Sequence, residues 1–153
     1  MNSLAEIRNF LAQKRVAIVG VSRNPKDFSH TLFKELVARG YDTVAVNPNT
    51  TQMNGYACFG RIQDVTPPPD AALLMTSLSV TEDLLHDWPV GIRHVWVYGT
   101  GGRSKVSPIA IAQLRNAGIS VVNGECPFMF LKDSAGFHRF HGFVRKIFRS
   151  YPA

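Results

Sequence analysis

Short apolar runs recur along the chain, and most of the segments between them carry apolar residues at helical spacing. The runs are RVAIVG (15–20), DTVAVNP (42–48), DAALLMT (70–76), HVWVYG (94–99) and ISVVNG (119–124). Runs this short, apolar on both sides of the pleat, predict strands buried on both faces. The segment HTLFKELVARG places Leu32, Leu36 and Val37 on one helical face, and Gly40 stands where that helix should end. Ser3 with Glu6 forms a capping box that opens a helix to about Gln13, and Ser79 with Glu82 forms another before DLLHDW. Ser107 followed by Pro108 reads as an N-cap with Pro at the first helical position; that helix runs to Ala117 and stops at Gly118. A last helix is expected within FHRFHGFVRKIFRSY. It gathers Phe137, Phe140, Val144, Ile147, Phe148 and Tyr151 near one face and bases on the other. The stretch from Asn49 to Pro69 is rich in Gly, Pro and Asn, with a short strand at YACF.

Strands alternating with helices imply a parallel sheet covered on both faces. Right-handed crossovers leave few topologies. The simplest is a Rossmann-like α/β three-layer sandwich with a five-stranded, mostly parallel sheet in the order 3-2-1-4-5. The expectation is one domain over 1–153. Its core spans about 10–130, and the basic helix of 131–153 packs against the sheet with its apolar stripe inward.

Composition narrows the class. The chain has 153 residues, 45% hydrophobic and 18% charged, which suits a globular chain with a single core. No apolar run approaches ~20 residues, so no membrane span is expected. The first residues, MNSLAEIRNFLAQKR, lack the apolar core of a signal peptide, and Cys58 and Cys126 have no metal or disulfide spacing. Together these point to the cytoplasm. The net charge of +6 favours anionic partners, and part of it is local: Arg139, Arg145, Lys146 and Arg149 follow Asp133 with no further acid.

In such sheets ligands sit beyond the carboxyl ends of the strands, where the strand order reverses. Here that places a crevice between the first and fourth strands. The loops at that edge are GVSRNP, NPNT, TSLS and YGTGGRSK, rich in small, hydroxyl, amide and basic residues. These residue types suit a phosphate held by backbone N–H groups and nearby cations. The dinucleotide fingerprint is missing: G-x-G-x-x-G would need Gly at 22 and 25, and the chain has Ser22 and Pro25. An NAD site also usually carries an acid at the end of the second strand, where this chain has Asn47-Pro48. Both departures count against NAD. Ser22, Arg23 and Lys26 can still supply a hydroxyl, backbone donors and charge.

The ordered series of motifs resembles the small CoA-binding proteins related to the CoA-binding domain of the succinyl-CoA synthetase α subunit. The residues that carry the likeness are Gly20-Val21-Ser22 after the first strand, Gly40-Tyr41 through Val46-Asn47-Pro48, MNGYACFGRIQDVTPPPDAALL, RHVWVYGTGG and NAGISVVNGECP. It covers about residues 10 to 130. The resemblance implies a Rossmann-like fold that binds coenzyme A or acyl-CoA by its adenine-nucleotide and phosphate end. By position, Gly20, Val21 and Ser22 would meet phosphate, Asn47 and Pro48 would shape the adenosine side, and Thr76, Tyr98, Gly99 and Thr100 would line the crevice. The family often has Lys soon after Asn-Pro, where this chain reads Asn49-Thr50-Thr51-Gln52. It also has Tyr98 where Gln is common.

Catalytic readings are weaker. Cys126, between Glu125 and Pro127, reads as a small apolar residue at a strand end rather than a reactive thiol. His138 and His141 have no supporting ligand spacing for a metal. No Ser/His/Asp set is coherently placed, and the synthetase's phosphorylated histidine belongs to a second domain. The expectation is non-catalytic CoA binding. Two alternatives remain: an NADP-linked oxidoreductase with Arg23 on the 2′-phosphate, and binding of an anionic polymer or partner by the basic C-terminal helix.

Overall fold

A computed structural model describes residues 2–99 and 106–131. In chain order the elements are α1 (Leu4–Leu11), β1 (Arg15–Val19), α2 (Phe28–Ala38), β2 (Asp42–Val46), β3 (Gln52–Met53), β4 (Tyr56–Phe59), β5 (Ala71–Leu74), α3 (Leu78–Leu84), β6 (His94–Val97), α4 (Pro108–Asn116) and β7 (Ser120–Asn123). The expected C-terminal helix and the GTGGRSK loop beyond Gly99 lie outside the described residues.

The sheet has seven strands, not five, in the order β3-β4-β2-β1-β5-β6-β7. All pairings are parallel except β3 with β4. The two added strands come from the Gly- and Asn-rich stretch. Asn54 and Gly55 both take positive φ, 52° and 80°, which is the backbone of a two-residue hairpin turn. That hairpin folds β3 against β4, and β4 adds in parallel outside β2. The expected order 3-2-1-4-5 is therefore corrected. The strand DAALLMT was assigned the place beyond β2, and β4 occupies it. DAALLMT supplies β5 on the other side of β1, with Val19 in register with Leu74. The point where the order reverses is thus between β1 and β5.

Each face of the sheet buries its own core. Val16, Ile18, Leu73 and Trp96 pack under α1 and α2 with Ile7, Phe10, Leu32 and Phe33. Ala17, Val19, Val46, Leu74 and Val97 pack on the opposite face with Ile111 and Leu114 of α4 and with Leu84. Alternating residues of strands buried on both sides separate these two layers. Between β4 and β5 the chain makes a single helical turn (Ile62–Asp64). Ile62 and Val65 are buried in the second core, so this crossover is seated on the sheet.

The helix ends follow local chemistry. Ser3 and Glu6 form the expected capping box, and Ser107 caps α4 with Pro108 at its start. The α2 helix begins at Phe28, two residues ahead of HTLFKELVARG, because the Asp27 carboxylate accepts from Ser29 N. The α3 helix is capped by Ser77 and not by Ser79. The side chain of Glu82, assigned to a capping box, instead accepts from the Ser107 hydroxyl and ties α3 to the start of α4.

Candidate functional site

The carboxyl ends of β1, β2, β4 and β5 meet at one edge of the sheet, and Gly20 shapes that meeting. It ends β1 with φ +91°, and a Cβ there would lie 2.7 Å from the Met75 carbonyl oxygen. The Gly20 N–H donates to Val46 O at 2.9 Å. A residue without a side chain thus lets the strand ends close up under a cavity of about 330 Å³. Val19, Val46, Pro48, Ile62, Val80 and Leu84 give it apolar walls, and Gly20, Gly60 and Thr76 contribute small groups. Arg61, Gln63, Asp83 and Asp87 supply its polar lining. Arg61 Nη2 lies 3.1 Å from Asp87 Oδ2, both side chains being largely exposed, and Gln63 Nε2 donates to Asp87 O at 2.6 Å.

Of the residues read from the sequence, Gly20, Pro48 and Thr76 line this cavity. The Thr76 hydroxyl shares a 2.7 Å hydrogen bond with Thr81, whose own hydroxyl also lies 2.8 Å from Ser77 O. It therefore fixes the entry to α3. Asn47 works beside the cavity: its Nδ2 donates to Val21 O at 2.7 Å, and its Oδ1 accepts from Asn49 N at 2.8 Å. It pins the loop after β1 to the loop after β2.

The loop after β1 is closed on itself. Ser22 N donates to Ser29 Oγ, Asn24 N to Ser22 Oγ, Lys26 N to Asn24 Oδ1, and Asp27 N to Asn24 O. These four donors are bonded within the loop or to the start of α2. The side chains of Arg23 and Lys26 on this loop are exposed. Val21 is fully buried on the α1/α2 face.

Tyr98 lies on that same face, away from the cavity. Its ring stacks on Phe28 with centroids 5.2 Å apart, and it neighbours Cys126. Gly99 continues the strand end, its N–H bonded to Leu74 O at 3.1 Å. Thr100 lies outside the described residues. Burial pushes the Cys126 thiol above its ordinary value; hydrogen bonds with Phe128, Met129 and Tyr98 pull against it, and the Glu125 carboxylate adds the smallest push upward. Such a thiol is poorly ionised near neutral pH and is a weak nucleophile. Among the described residues, no three His, Cys, Asp or Glu side chains come together to hold a metal ion. His138 and His141 lie outside them.

Sequence reasoning missed the β4 and α3 walls of the cavity and also His30. This buried histidine sits 2.9 Å from Ser22 O by Nδ1 and 3.0 Å from the Asn54 side chain by Nε2. It joins the loop after β1 to the hairpin turn. The sequence signal that finds these parts is the Asn54-Gly55 pair, which announces a hairpin and so an extra strand at this edge.

A family model described as the CoA binding domain matches residues 14–132. An uncharacterized protein of Bacillus subtilis, YneT, is 33% identical over 69 residues, which cover 44% of this chain and 51% of YneT. The chain therefore spans about half the length of that curated relative. Among solved structures, Prb, a protein redesigned for binding, superimposes with a TM-score of 0.73 at 23% identity, over 83% of this chain and 89% of Prb. A dinucleotide-forming acetyl-coenzyme A synthetase of Ca. Korarchaeum cryptofilum, solved with phosphate and ADP, gives a TM-score of 0.59 at 21% identity. That match covers 79% of this chain and 27% of the synthetase. At these identities the two structures establish a shared fold.

Proposed function

The chain belongs to the CoA-binding domain family, and from that premise we propose that it is a non-catalytic module that binds coenzyme A or an acyl-CoA by the adenosine end. The observation that carries the reading is the apolar cavity at the carboxyl ends of β1, β2, β4 and β5. At about 330 Å³ it stands at the small end of the ~300–1,000 Å³ usual for ligand sites. It suits a nucleoside and leaves the pantetheine arm outside. Its walls carry aliphatic surface for a base, while Arg23 and Lys26 stand on the adjoining loop for the diphosphate.

Two features support CoA over a nicotinamide dinucleotide. The end of β2 carries Asn47, whose donor is committed to Val21 O, where NAD sites present a carboxylate to the ribose hydroxyls. The loop after β1 has no second Gly for close approach to a pyrophosphate. The reading as a binder is supported by the cavity's lining among the described residues: its hydroxyl, Thr76, is bonded to Thr81, and its other polar side chains are Arg61, Gln63, Asp83 and Asp87.

Val80 tests this assignment, because it lines the cavity yet is 45% exposed, so the fold tolerates a larger residue there. Isothermal titration of Val80→Trp with CoA should show affinity reduced about tenfold or more, with an unchanged melting temperature. Affinity equal to that of the unsubstituted protein would place the ligand elsewhere.

A further inference from the structure

We infer that Arg61 is the specificity residue of the cavity, held in reserve by Asp87 and handed to the ribose 3′-phosphate of the incoming nucleotide. The inference rests on the CoA reading above. The layout of the strand ends carries it. In sheets of this type the diphosphate lies at the loop after the first strand, and the ribose hydroxyls lie over the end of the second. Here the strand beyond β2 is β4, and Arg61 follows two residues after its end. Gly60 lies against Pro48, where a Cβ would come 4.0 Å from its Cα, and Pro48 and Arg61 line the same cavity, so a phosphate on a ribose seated at Pro48 comes within reach of Arg61. Asp83 of α3 also lines the cavity. Its carboxylate repels a phosphate from the α3 side and so favours the β4 side.

The ion pair between Arg61 and Asp87 is built to be exchanged. Its 3.1 Å contact involves one nitrogen and one oxygen, and the two side chains are 62% and 74% exposed. A pair this open to water is weak. A phosphate dianion offers a guanidinium two parallel, charge-assisted bonds and displaces it readily. Gln63 holds the backbone of Asp87 through its carbonyl, so the acid stays in place when the arginine leaves. Asp87 thus acts as a competitor: it keeps Arg61 at the rim without ligand and weakens binding by the strength of the pair.

The test is isothermal titration of the unsubstituted protein, Arg61→Gln and Asp87→Asn with CoA and with dephospho-CoA, which lacks the 3′-phosphate. Melting curves establish that each variant is folded. The unsubstituted protein should prefer CoA to dephospho-CoA. Arg61→Gln should lose about tenfold more affinity for CoA than for dephospho-CoA, and so lose the preference. Asp87→Asn should tighten CoA binding more than dephospho-CoA binding, and so widen the preference. If Arg61→Gln keeps the full preference for CoA, the inference is overturned while the CoA reading stands. If the unsubstituted protein binds neither ligand, both are overturned.

Discussion

Gly20 shows how much one residue decides here. Its φ of +91° lies in the left-handed region, and the Met75 carbonyl leaves no room for a Cβ. Holding a side chain in such backbone costs on the order of 1–3 kcal/mol, and the contact adds to it. Gly20→Ala should lower unfolding stability by at least that range in urea titration; a change under about 0.5 kcal/mol, within the scatter of surface substitutions, would mean the strand ends are less tightly joined. The residue was legible in the sequence because a Gly ending a buried run has a physical reason to be there. Val21 and Tyr98 were not, because motif position says nothing about which face of the sheet a side chain takes. Their neighbourhood gives a second expectation. Burial raises the folded-state pKa of Cys126 and Tyr98, and of Cys58 and Tyr41 as well. A raised pKa means the folded state holds the proton more tightly. The stability involved is fully present below the ordinary thiol value of 9.0 and is lost as pH rises through it toward the folded value. The melting temperature should therefore fall from about pH 9 upward, and Cys126 should react more slowly with iodoacetamide at pH 8 than a free thiol does. A flat melting profile through that window would contradict the assigned burial.

At the scale of elements, the informative unit is the pair of loops after β1 and β2, joined by Asn47. Replacing it by Ala removes the bonds to Val21 O and Asn49 N. At about 0.5–1.5 kcal/mol each, Asn47→Ala should cost roughly 1–3 kcal/mol and loosen CoA binding. Asn47→Asp keeps the shape and turns the donor into an acceptor facing Val21 O, so it should destabilise the protein at least as much. Chemical denaturation of both variants checks this, and full stability in Asn47→Asp would refute the pin. The five buried strands and the caps at Ser3 and Ser107 were readable because each depends on a few adjacent residues. The β3–β4 hairpin was underweighted, although Asn54-Gly55 carries a direct turn signal. The cap of α3 was misplaced by two residues because Ser77 and Ser79 offer the same hydroxyl. What separates them is tertiary: Glu82 is drawn to Ser107, 25 residues on.

For the whole molecule, alternating strands and helices were enough to predict a parallel, two-faced sheet, but not on which side of β1 each strand would fall. Local pattern is the same for either side. The choice is made by the crossover that seats Ile62 and Val65 on the sheet, and that crossover also builds the β4 wall of the cavity. The point where the strand order reverses therefore falls between β1 and β5, one strand from the expected place, for that single reason. The central claim is that the edge holds coenzyme A and not a nicotinamide dinucleotide. Thermal unfolding with saturating CoA, NAD and NADP tests it most directly. A ligand at ~100 times its Kd adds about 2.7 kcal/mol to the folded state. The account predicts a raised melting temperature with CoA and none with NAD or NADP. A rise with either dinucleotide and none with CoA would contradict it.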